Sequence, residues 1–107
     1  MTKYFHCHKD CPDDYSYKLM PSAKDSDDAR RIALREQNSK NCQNTIYIYS
    51  MSPGSKKRNI GSIITYYDKE GNEINYWKIP GKKGLFCIDA RTGRLGQHIK
   101  EIPSDLK

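Results

Sequence analysis

His6, Cys7, His8 and Cys11 stand within six residues of one another. Imidazole and thiolate are the side chains that zinc prefers, and three or four of them in one place make a site. The spacing works against one here. On an extended strand successive side chains point to opposite faces, so His6 and His8 share one face and Cys7 takes the other. All four converge only if the segment is a loop. No second close pair completes a paired-cysteine signature, because Cys42 and Cys87 stand alone. The four are therefore weak metal candidates, and no cofactor is expected. Cys87, between Phe86 and Ile88, reads as a buried core thiol.

The histidines also invite a second chemistry. Metal-free RNA cleavage needs a base, an acid and a cation beside the phosphate. His6, His8 and His98, with Lys and Tyr neighbours, are the residue types for it, and small basic nuclease toxins share this size and charge. The chain carries no paired-carboxylate, Ser-His-Asp, Walker or Gly-x-Gly-x-x-Gly pattern, however, and nothing in the sequence brings the histidines together. A nuclease or toxin is thus a secondary alternative, and a non-enzymatic role is expected.

The third chemistry is charge. The 107 residues carry 19 Lys and Arg against 13 Asp and Glu, a formal net charge of +6. The excess is local: eight against seven up to Pro53, and eleven against six from Gly54 onward. Such a field draws polyanions. Two loops concentrate it, Pro53-Gly54-Ser55-Lys56-Lys57-Arg58 and Pro80-Gly81-Lys82-Lys83-Gly84. Lysine is also common in loops that merely keep a surface solvated. What raises these two above that background is their place in the chain, which depends on the elements around them.

Those elements follow from pattern. Tyr4 to His8 reads as a first strand and Tyr15 to Met20 as a second, joined by the Cys-Pro-Asp-Asp turn signal. Asp25 or Ser26 is a helix cap, with Asp27 and Asp28 in the first turn and Arg30, Arg31 and Arg35 following. Ala29, Ile32, Ala33 and Glu36 fall on one stripe, which Leu34 widens, and the spacing predicts a helix over about 26–39. Strands then follow at 45–51, 60–67, 73–79 and 85–90, with a possible last strand at 95–102 ended by Pro103. Asp68 to Asn72 and Arg91 to Arg94 are the intervening turns.

The fold expected is one α+β domain over 1–107, a single amphipathic helix on a mostly antiparallel sheet of five to seven strands in β-β-α-β-β-β-β order. Short connections make successive strands antiparallel, so alternate connections share one end of the sheet. The two Pro-Gly loops are alternate connections. Lys56, Lys57, Arg58, Lys82 and Lys83 should therefore gather on one rim and hold an anion. Tyr47, Tyr49, Tyr67 and Trp77 on neighbouring strands are the candidate aromatic contacts for nucleic acid beside that rim.

The chain has no stretch near the roughly 20 apolar residues of a membrane span, and its start lacks the apolar segment of a signal peptide. A cytoplasmic protein that meets no membrane is expected, with free thiols or metal ligands rather than disulfides. The function expected is a small basic module that binds nucleic acid or a nucleic-acid-handling protein through its loop rim. The other alternative is a docking inhibitor or accessory protein of a phage or mobile element.

Overall fold

The computed structural model describes residues 2–7, 17–37 and 45–104. Chain order is β1 (Lys3–Cys7), β2 (Lys18–Leu19), α1 (Ser26–Gln37), β3 (Thr45–Met51), β4 (Arg58–Tyr67), β5 (Glu73–Lys78), β6 (Leu85–Ile88) and β7 (Leu95–Ile99). The strands form one seven-stranded sheet, ordered β2-β1-β3-β4-β5-β6-β7, with every neighbouring pair antiparallel. The chain is thus an α+β fold with one described helix. From β3 onward the sheet is a simple meander. Before it, β2 and β3 both oppose β1, so they run parallel with β1 between them, and α1 makes the crossover that a parallel connection requires.

The helix starts where its cap residue allows. Asp25 Oδ1 accepts from the backbone N–H of Asp28 at 2.9 Å, and Asp25 O accepts from Ala29 N–H at 3.0 Å. That satisfies donors of the first turn, a contribution of about 1 kcal/mol. The buried stripe is Ala29, Arg30, Ala33 and Leu34. It is rotated from the expected one: Ile32 and Glu36 lie on its flank, and a charged residue takes a core position. Ala29 and Ala33 have no exposed surface, and their small side chains let α1 lie close over β1 and β3.

The register sorts the strands into two faces. Ile46, Ile63, Trp77 and Phe86 form one row across β3 to β6, and His6, Ile48 and Gly61 form another. These rows face the helix. Met20, Ala29, Ala33, Leu34, Ile46, Ile48, Ile63 and Trp77 make the core there. Burying each such isoleucine contributes about 1.5–3 kcal/mol. The other face carries Phe5 opposite Tyr49, Cys7 opposite Tyr47, and Tyr76 opposite Cys87.

Several boundaries differ from expectation. Among the described residues the second strand is Lys18–Leu19, which pairs with β1, and residues 15–16 of the expected strand lie outside the described residues. β4 begins at Arg58 rather than Ile60, because Ser50 continues the ladder to Arg58 past a register shift after Ile48. β7 stops at Ile99. Cys87 is half-buried on the face away from the helix, where its pairing with Tyr76 puts it, rather than in the helix-side core. Among the described residues, no helix is long and apolar enough to cross a membrane.

Candidate nucleic-acid interface

The strand order decides where the loops go. Residues 52–57 connect β3 to β4, and residues 79–84 connect β5 to β6. With β3, β4, β5 and β6 consecutive and antiparallel, both connections lie at one end of the sheet. The turns at 68–72 and 89–94 lie at the other. The basic loops are two strand spacings apart, about 10 Å.

The same end collects three more cations. Lys3 opens β1 opposite Met51, so it sits where β3 finishes. Lys78 closes β5 immediately before the second loop. Lys100 follows β7, whose Ile99 pairs with Leu85 at the start of β6. All three are exposed, as are Lys56, Arg58, Lys82 and Lys83. Glu101 is the nearest acid in sequence to Lys100. Among the described residues, the ion pairs His6–Glu36, Arg30–Asp27 and Arg31–Asp28 involve none of these rim cations. The other end mixes signs: Asp68, Glu70, Glu73 and Asp89 stand among Lys69, Arg91 and Arg94.

Lys57 differs from its neighbours. It is half-buried, with Nζ 3.9 Å from the Tyr17 ring centroid and 4.7 Å from that of Phe5. Tyr17 in turn meets Tyr49 edge to face at 4.8 Å. Cation–π contacts of this kind contribute about 0.5–2 kcal/mol. Lys57 therefore fixes the first loop against the sheet face away from the helix. Lys56, Lys82 and Lys83 extend into solvent.

The four aromatic candidates do not form one surface. Tyr47 and Tyr49 are on the face away from the helix, half-buried and buried respectively. Tyr67 is 42% exposed but lies at the far end of β4, beside the 68–72 turn. Trp77 is 3% exposed and sits in the core. Its indole lies close against Gly61, and the Arg30 guanidinium lies 4.8 Å from a ring centroid. Burial thus removes Trp77 from any stacking role.

Arg30 is the charged residue that pattern alone places wrongly. It is 3% exposed, its Nε–H donates to Gly93 O at 2.7 Å, and its Nη2–H donates to Asp27 Oδ1. Burial draws the guanidinium below its ordinary pKa, and the Asp27 carboxylate opposes that shift. A cation bonded this way ties α1 to the β6–β7 turn.

The histidine and cysteine cluster divides as strand alternation requires. His6 is buried toward the helix and contacts Glu36, while Cys7 is buried on the other face. His8 and Cys11, like Cys42, lie outside the described residues. Among the described residues, no His, Cys, Asp and Glu group of metal-holding size occurs. His98 is exposed on β7, its Nε2 3.2 Å from Lys83 O. β1 and β7 are five strand spacings apart, on the order of 24 Å, so His6 and His98 do not meet over one phosphate.

Compared with known protein families, curated proteins and solved structures, the chain matches none.

Proposed function

We propose that the protein is a non-enzymatic module that binds nucleic acid through the basic end of its sheet. One observation carries the reading: two Pro-Gly loops bearing Lys56, Lys82 and Lys83 lie at the same end as Lys3, Lys78 and Lys100. Exposed cations spread over the ends of several strands match the repeating charge of a phosphate backbone.

The test is a salt titration. Binding of a labelled oligonucleotide should weaken linearly on a log–log plot against salt, by about 0.7 per phosphate contact for a single strand. The triple variant Lys56→Glu, Lys82→Glu, Lys83→Glu should reduce the slope by about 2, because three contacts are lost. These lysines make no described core contact, so the thermal midpoint should not move. An unchanged affinity and slope in the triple variant refutes the proposal.

A further inference from the structure

The helix leaves part of its face of the sheet uncovered. α1 packs over β1 and β3, and beside its first turn a groove of about 730 Å³ opens across the sheet. That volume falls within the range of small-ligand sites, about 300–1,000 Å³. Its floor is largely apolar, formed by Tyr4, Ile60, Trp77, Ile79 and Leu95, with Ser50 among them. Its wall is the helical turn carrying Ser26, Asp27 and Arg30, and Arg94 reaches in from the β6–β7 turn.

Three of these floor residues connect the groove to the rim. Ser50 lies directly opposite Arg58 in the β3–β4 ladder. Ile60 follows Arg58 by two positions, and Ile79 immediately precedes the Pro80 loop. The groove therefore runs up to the strand ends where the cations collect. The acid in its wall, Asp27, is already neutralised by Arg30. What remains is an apolar floor between exposed positive charges, Arg94 on one side and Arg58 with the loop lysines on the other.

We infer that this groove receives an unstacked nucleotide, so that the preferred ligand is single-stranded nucleic acid. The inference rests on the rim reading and extends it. A duplex keeps its base faces stacked inside and offers its phosphates to the rim, with no base face for the groove. A single strand can turn a base onto Tyr4, Ile60 and Ile79 while its flanking phosphates meet Arg94 and the rim. RNA and DNA share this chemistry, and the assay separates them.

Trp77, the only tryptophan in the chain, lies in the groove floor and reports on it directly. The experiment titrates the full chain with a single-stranded RNA and a single-stranded DNA of about ten nucleotides, and with the corresponding duplexes. Trp77 emission and the anisotropy of a labelled strand are followed together. At least one single strand should bind about tenfold more tightly than the duplexes and should change Trp77 emission, whereas duplexes should leave the emission unaltered. Ser50→Phe, which fills the groove, and Arg94→Glu, on an exposed turn, should each abolish the preference and spare duplex binding. Because Arg94 is exposed, its variant remains informative if Ser50→Phe fails to fold. Equal affinity for single strands and duplexes, with Trp77 emission unmoved, overturns the groove inference and leaves the rim reading standing. Absence of salt-sensitive binding to any of the four ligands overturns both.

Discussion

Replacing Gly61 with Ala tests the packing that fixes the groove floor. A Cβ built on Gly61 falls 2.6 Å from Cε2 and 2.7 Å from Cη2 of Trp77, and closer still to Cζ2. Carbon atoms at rest in a core stand about 3.5–4.0 Å apart, so the indole must move by more than about 1 Å. The Arg30 guanidinium lies against the ring, 4.8 Å from a centroid, and is itself tied to Gly93 O at 2.7 Å, so it opposes that shift. Overpacking a core site costs about 1–3 kcal/mol, and the tethered Arg30 argues for the upper half of that range. For a chain of this size, that corresponds to a fall of roughly 8–12 °C in thermal midpoint. The assay is thermal unfolding of Gly61→Ala followed by far-ultraviolet circular dichroism and by Trp77 emission. A midpoint within about 1 °C of the parent, with native emission unchanged, refutes the close packing of Trp77 on Gly61.

Other expectations follow from the same contacts. Gly93→Ala should destabilise by at least about 1 kcal/mol, because Gly93 has φ +76° and an added Cβ would stand 2.8 Å from the Asp27 carbonyl carbon; an unchanged urea midpoint counts against this docking of turn on helix. Lys57→Ala should lower the thermal midpoint, whereas Lys56→Ala should not, because only Lys57 lies over Phe5 and Tyr17; equal midpoints for the two variants refute that distinction. Asp68 accepts hydrogen bonds from Asn72 N–H at 2.8 Å and Glu70 N–H at 2.9 Å, and the Asn72 backbone bond is foremost in holding its carboxyl below the ordinary value. A depressed folded pKa stabilises the fold above the unfolded value and stops doing so as pH falls through the folded one. The stability gap between the parent and Asp68→Asn should therefore be present at neutral pH and shrink below about pH 4; a gap independent of pH refutes the assignment.

Much of the scaffold was legible in the residues. Asp25, the alanines of the helix and the β-branched runs at 45–51 and 60–67 are local signals, and their elements appear where those signals stand. The rim was also legible, because in a meander the end at which a loop emerges depends only on counting strands. Lys3, Lys78 and Lys100 join it for the same reason and could have been found by the same count. The helix stripe was not. A guanidinium at position 30 reads as solvated, and only Gly93 O and Asp27, one of them 63 residues away, make its burial tolerable. Trp77 reads as a candidate contact until its 3% exposure and its neighbours Gly61 and Arg30 are seen.

The chemistry of single residues and short runs set the helix, the strands and the location of the excess charge. Tertiary structure decided which side chains meet, because those partners are distant in sequence and pair only once the sheet is ordered. That ordering turns His6 rather than Cys7 toward the helix and carries His98 to the far strand. It also opens the groove beside the first helical turn, since the described helix leaves part of that face uncovered.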